Sequence, residues 1–259
     1  MSVVSWCKRD NVSNAFVQKL SGLSTLERSE TSALEAATSH ARRYRAKQDL
    51  IREGDEPGPV FVILNGWACR YKILPGGSRQ IMAFLMPGDA CDLHMNMVAA
   101  MDHGIQAITE AKVAAISRPA MDQMMREFPG VSRALYIAQL IDEGTMRAWI
   151  VSMGRRSSIE RVAHLICELY LRMRNIGLRT EGVFALPLSQ IILADALGMT
   201  PVHINRVLKE LREAGAMALK RGHLEILDPV KLVHIAGFDE NYLHRRISQS
   251  TRKPELAGQ

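Results

Sequence analysis

The stretch that most constrains the fold runs from residue 186 to 227 and reads LPLSQIILADALGMTPVHINRVLKELREAGAMALKRGHLEIL. Ser189 is placed to cap a short helix, with Leu188 before it and Leu193 four positions on as a hydrophobic staple. Gly198 permits a sharp turn. Thr200-Pro201 then starts a second helix, pairing a hydroxyl that accepts from free N–H groups with a proline at the one position where its missing N–H costs nothing. Ile204, Val207, Leu208 and Leu211 recur at helical spacing as a buried stripe, which leaves Val202, His203, Asn205, Arg206 and Lys209 on or beside the outer face. Gly215 ends the helix, and AMALKRGHLEIL predicts two short strands joined through the basic tip Lys220-Arg221-Gly222-His223.

This succession is the plan of a winged helix-turn-helix, and its exposed chemistry suits DNA. A helix fits the major groove, where arginine bonds guanine bidentately, asparagine bonds adenine, and a β-branched side chain touches a thymine methyl. Lys220 and Arg221 suit phosphate contacts, which position without reading sequence. The expected DNA-binding set is therefore Ser189, Thr200, Val202, His203, Asn205, Arg206, Lys209, Lys220 and Arg221. An exposed Asn-Arg pair alone reads more readily as a solvated helix face; its setting between a capped turn and a basic hairpin reverses that and favours DNA.

Charge agrees with that placement. Residues 155–259 hold 16 Lys and Arg against 11 Asp and Glu, so an excess of five out of the net +6 lies in the C-terminal part. A basic unit joined to a nearly neutral one points to a polyanionic partner. No apolar run is long enough to span a membrane, and the start MSVVSWCKRDNVSN lacks the plan of a secretory signal, so a cytoplasmic location is expected. Cys7, Cys69, Cys91 and Cys167 are far apart and are read as reduced thiols.

Upstream, residues 12–46 read as helical, ending in the basic run ARRYRA. From Leu50 to Ser117, short β-branched or aromatic runs alternate with Gly54, Gly58, Gly66, Gly76, Gly77 and Gly88, which implies a small antiparallel roll. Residues 119–127 predict a short helix closed by Pro129, and residues 130–153 a long one. Ile137, Leu140, Ile141, Gly144, Ala148 and Val151 form its stripe, and Met146, Trp149, Ile150 and Met153 widen it beyond one face. Such breadth suits a helix that packs on its own subunit and on a partner, although burial within one subunit gives a similar pattern. The expected organisation is α+β: a sensor roll with a helical entry segment over residues 1–127, a long dimerisation helix and hinge over 128–156, the winged helix-turn-helix over 157–236, and a C-terminal tail over 237–259.

With these elements in place, the sequence resembles the Crp/Fnr family of bacterial transcription regulators over about residues 40–236. The anchors are LPLSQ, ADALGMT, INRVLKEL and LEILDP in the C-terminal part, and IREGD, ILNGWACRYK and MPGD in the roll. The resemblance implies a cyclic-nucleotide-binding-type β-roll and a homodimer formed along the long helix. It also implies two reading helices in successive major grooves of a near-palindrome, with RNA polymerase as a further partner if the protein activates.

The departures bear on the signal. Members that bind cyclic AMP carry a Gly-Glu-Leu stretch and a later Arg-Ser pair in the roll. Here the first region reads Asp89-Ala90-Cys91-Asp92-Leu93, and Met101-Asp102 falls at the Arg-Ser pair. A thioether and a carboxylate cannot neutralise a phosphate, so cyclic AMP is not expected unless Arg70 or Arg79 takes over; otherwise Met82, Met86, Leu93, Met95 and Met97 are expected to pack the pocket shut. Cys7 alone at the start cannot supply a four-cysteine iron–sulfur site within one subunit. Cys91, Asp92, His94 and His103 gather metal-capable side chains without a diagnostic spacing, and no cofactor is predicted. Cys167, among Leu165, Ile166 and Leu169, reads as a buried apolar-like thiol. Where family members tend to place a glutamate before the reading arginine, this chain has Val202, so its half-site should differ there. No catalytic motif stands out; the competing reading is a module whose winged helix grips protein.

Overall fold

The computed structural model describes residues 14–93, 97–176, 183–220 and 222–243. Cys7, His94, Met95 and Arg221 lie outside these residues.

Asn14 caps α1 (Ala15–Ser21) by accepting from the Val17 N–H, and a reciprocal pair between Glu27 and Glu30 starts α2 (Arg28–Ala37). The basic run expected to close a helix is instead strand β1 (Ala41–Tyr44), paired antiparallel with β8 (Ala111–Ile116). Pairing with β8 overrides the local pattern, and Arg42 and Arg43, both exposed, place charge on a sheet edge. The segment read as one helical stretch is thus two helices and a strand.

Two four-stranded antiparallel sheets make the roll. One has the order β1-β8-β3-β6, with β3 at Val60–Asn65 and β6 at Ala90–Cys91. The other has the order β2-β7-β4-β5, with β2 at Asp49–Ile51, β4 at Ala68–Ile73, β5 at Arg79–Leu85 and β7 at Gly104–Ala107. Gly66 turns β3 into β4 at φ +79°, where a Cβ would sit 2.2 Å from the Glu110 carbonyl oxygen, so only glycine fits the crossing.

Ser117 caps α3 (Arg118–Glu127), and Pro129 opens the 27-residue α4 (Pro129–Arg155). A Ser157–Glu160 capping box starts α5 (Ser158–Asn175). Then come β9 (Val183–Ala185), α6 (Gln190–Leu197), α7 (Pro201–Glu213), β10 (Met217–Lys220), β11 (His223–Ile226) and α8 (Pro229–Ala236). The expected hairpin β10–β11 is joined by β9, which pairs with β11 through Phe184 and Leu224. Three residues with one apolar inward side chain leave too little periodicity to be seen in sequence.

The apolar core does not stop at the hinge. Trp67, Cys69, Tyr71, Ile81, Phe84 and Met86 of the roll form one buried cluster with the helices of the C-terminal part. Arg172 of α5 donates to the Phe84 carbonyl and to Asp89, both at 2.9 Å, and Asp89 also accepts from Lys19 of α1 at 2.5 Å. Residues 237–243, at the start of the segment read as a tail, turn back in a 3-10 helix at Glu240–Leu243 and pack on α4. Tyr242 donates to the buried Glu168 carboxylate, which also accepts from the Trp149 indole.

Candidate nucleic-acid interface and the roll pocket

The helix-turn-helix is built as its punctuation requires. Ser189 Oγ accepts from the Ile192 N–H, and Leu188 and Leu193 are buried beside it. Gly198 adopts φ +62°, and Thr200 Oγ1 accepts from the His203 N–H at 3.2 Å. Ile204, Val207 and Leu211 are buried, so the opposite face of α7 is presented outward. Val202 is 81% exposed, and Asn205, Arg206 and Lys209 are exposed beside it. His203 is half-buried, and its Nε2 accepts from Arg206 Nη2 at 3.2 Å. Lys209 sits 3.6 Å from Glu213, and Lys220 is exposed at the end of β10. Ser189 and Thr200 are exposed caps with their hydroxyl oxygens engaged, while Val202, Asn205, Arg206 and Lys209 share one open face.

This face stays open although the C-terminal part is docked on the roll. Arg79 at the base of β5 reaches Asp195 of α6 at 2.7 Å, and Gln80 donates to the Ala196 carbonyl at 3.2 Å. A cleft runs beside that bridge, walled by Gly77 and Ser78 of the β4–β5 hairpin, by Arg156 of the hinge and Arg161 of α5, and by His203.

In the roll, the region expected to hold a nucleotide phosphate contains an internal ion network. Arg70 of β4 lies 3.1 Å from Asp92 and 3.4 Å from Asp142 of α4. Burial opposes its charge, but the two carboxylates outweigh that and raise its pKa further. His103 Nε2 approaches Asp92 at 3.4 Å, and its Nδ1 meets Asp102 at 2.6 Å. Burial pushes the imidazole toward neutrality, and the Asp92 and Asp102 carboxylates overcome it, so its pKa is raised. Asp92 adopts φ 58°, a conformation that favours glycine, and this turns its carboxylate onto Arg70. Met101, at the position of the family's arginine, is buried and apolar.

Neither arginine considered as a substitute is free: Arg70 is held by two carboxylates and Arg79 by Asp195 and Gln106. A cyclic nucleotide phosphate would meet Asp92 and Asp102 without an uncommitted cation among the described residues, so these residues do not fit the group. The expected packing by methionines is only partly seen, because Met86 is buried whereas Met97 is 79% exposed; charged groups rather than thioethers occupy the site. Among the described residues no group of three or more His, Cys, Asp and Glu side chains is arranged to hold a metal ion. Cys69, Cys91 and Cys167 are buried free thiols; desolvation pushes Cys69 and Cys167 up to about 12.

Sequence reasoning missed the charged residues that join the units. Lys19, Asp89, Arg172 and Glu168 form a chain of ion pairs whose only linear trace is the four-residue spacing of Glu168 and Arg172.

Two family models match the chain: a cyclic nucleotide-binding domain at residues 41–128 and a Crp-like helix-turn-helix domain at residues 160–235, together more than half of it. The chain belongs to the Crp/Fnr family of DNA-binding transcription regulators. Among curated relatives, the transcriptional activator protein FnrL of Cereibacter sphaeroides is 28% identical over 204 residues, 77% of this chain and 82% of that one. The nitrogen fixation regulation protein FixK of Bradyrhizobium diazoefficiens is 29% identical over 194 residues, 74% of this chain and 80% of that one. The solved structure of FixK2 from Bradyrhizobium japonicum has the same fold, with a TM-score of 0.69 at 23% identity over 77% of this chain and 98% of that one. No helix among the described residues is long and apolar enough to cross a membrane.

Proposed function

We propose that the protein is a homodimer that reads a near-palindromic promoter site through α7 without a cyclic nucleotide. The observation that carries this reading is the open face of α7, where Val202, Asn205, Arg206 and Lys209 stand exposed on a helix fixed by the Thr200 cap. Arg206 bonds a guanine, Asn205 approaches an adenine, and Val202 makes apolar contact where relatives place a carboxylate. Ser189, Thr200 and His203 flank the phosphate backbone at helix N-termini, and Lys220 with Arg221 grips it from the hairpin tip. The division follows: roll to residue 127, long helix and hinge over 128–156, DNA-binding unit over 157–236.

Dimerisation through α4 is supported by an outward stripe in which Tyr136, Leu140, Met146, Ile150 and Val151 are all more than half or about half exposed. A two-fold dimer presents its two α7 helices to half-sites about one helical turn apart. The internal ion network of the roll ties β4 to α4 through Arg70 and Asp142, a link that needs no ligand. Similarity to the transcriptional activator FnrL favours activation, with RNA polymerase as further partner.

Selection from random duplexes with the purified protein tests the reading. The expected product is a palindrome with half-sites about one turn apart. Arg206→Ala is expected to cost about 1–3 kcal/mol on that site and to relax one base pair. Lys220→Ala is expected to weaken all DNA alike and to reduce the salt slope by about one. Equal losses for Arg206→Ala on selected and random DNA would sink the base-reading role, and no enrichment at all would favour a winged domain that grips protein.

A further inference from the structure

The outer face of α7 carries one hydrogen bond that neither capping nor packing requires. Arg206 Nη2 donates to His203 Nε2 at 3.2 Å, across one helical turn. His203 is the more fixed of the two: its backbone N–H is held by the Thr200 hydroxyl, and its side chain is half-buried against the wall of the hinge cleft. Arg206 is exposed, and no ion pair joins it to a carboxylate among the described residues: Lys209 takes Glu213, and Glu210, four residues on, makes no ion pair with it. Valine at position 202 offers nothing to accept a guanidinium proton.

We propose that His203 is a positioning residue for Arg206, holding the guanidinium on the groove-facing side of α7 and so setting the base preference opposite it. The proposal rests on the DNA-reading function above and names how one chain-specific side chain tunes it. As an acceptor at Nε2 the imidazole is neutral, with its proton on Nδ1, so it orients Arg206 without cancelling the charge that attracts DNA. The two N–H groups of Nη2 belong to different edges of the guanidinium plane. Using one of them leaves a complete two-donor edge for the O6 and N7 acceptors of guanine. Without an anchor, an exposed arginine spreads over many rotamers and must be ordered by the DNA itself.

The test uses the full-length protein and the duplex selected by the unaltered chain, with the four variants of the base pair at which Arg206→Ala loses discrimination. His203→Ala is expected to lose about three- to ten-fold in discrimination at that base pair, measured relative to its affinity for random DNA, and to keep the ordinary preference at every other position of the selected site. His203→Gln, whose carboxamide oxygen accepts from the same distance along the helix, should recover most of the loss. Wild-type discrimination in His203→Ala, a loss at a different base pair, a uniform loss on all duplexes, or a glutamine variant no better than alanine would each overturn the positioning role. If the unaltered chain selects no sequence, the DNA-reading function fails and takes this proposal with it; selection with unchanged His203→Ala specificity removes this proposal alone.

Discussion

Arg70 and Asp92 convert what relatives use as a ligand site into part of the protein's own wiring. Both are largely shielded from solvent, and each satisfies the other, with Asp142 and His103 completing the set. Arg70→Met should leave two carboxylates without their cation and destabilise the fold by about 3–5 kcal/mol in denaturant melts. An unchanged midpoint would mean that the network is not structural. A second residue-scale effect belongs to His164, buried between Phe238 and Tyr242 with ring centroids 4.9 and 5.8 Å away. Burial, with Arg156 nearby, lowers its pKa to about 4. A depressed histidine binds its proton more readily when unfolded, so its contribution is complete above the ordinary histidine range of about 6.5 and is lost as pH falls toward 4. The loss is on the order of 3 kcal/mol. His103 has the opposite sign: its raised pKa adds stability at low pH that disappears as pH rises through the folded value. Melts of His164→Phe between pH 4 and 7 isolate the first effect, and the variant should show a flatter acid limb than the unaltered chain.

At the scale of elements, α4 faces two ways. Gly144 and Thr145 are buried on the inner side, Trp149 packs edge-on against Phe84 at 5.9 Å, and the apolar stripe through Leu140 and Ile150 points outward. Leu140→Glu with Ile150→Glu should yield monomers in light scattering and a loss of affinity for a two-half-site duplex, while leaving melts of the monomer little changed. A variant that stays dimeric would place the interface elsewhere. The elements most legible in sequence were those with terminal chemistry: the Ser189, Thr200-Pro201 and Gly198 signals located α6 and α7 to the residue. The elements missed were those defined by distant partners. Strand β1 is made a strand by β8, some seventy residues on, and β9 by β11, so their own residues carry only weak preference. The open face of α7 was legible for the same reason as its caps, since Ile204, Val207 and Leu211, buried at helical spacing with Leu208 partly covered beside them, fix the other side. The hydrogen bond from Arg206 to His203 was not, because an i to i+3 pair can meet or diverge depending on rotamer.

Across the whole molecule, the roll and the C-terminal part share apolar cover and are bridged by Arg79–Asp195 and by the chain Lys19–Asp89–Arg172–Glu168. Asp89 is buried, which opposes its charge, yet Lys19 and Arg172 hold its carboxyl below the usual range. Arg172→Leu should therefore uncouple the halves more than Asp195→Ala, whose bridge is partly exposed. Trypsin cleavage at Arg155 and Arg156 in the hinge is the readout, faster in Arg172→Leu than in Asp195→Ala; the reverse order would assign the coupling to the surface bridge. Cyclic nucleotide binding could not be judged from the Arg-Ser substitution alone, because Arg70 and Arg79 remained available in sequence; in the structure both are engaged by carboxylates of the chain itself.

One contact also fixes an order of events. A Cβ at Gly144 would lie 2.7 Å from the Tyr242 carbonyl oxygen, so the last described turn of the chain sits directly on the middle of α4. During synthesis α4 leaves the ribosome after the roll but well before Tyr242 exists, and part of its inner side waits uncovered until the winged unit has emerged. The seat on Gly144 is thus filled last, and the inner side of α4 is complete only in a chain translated past Tyr242.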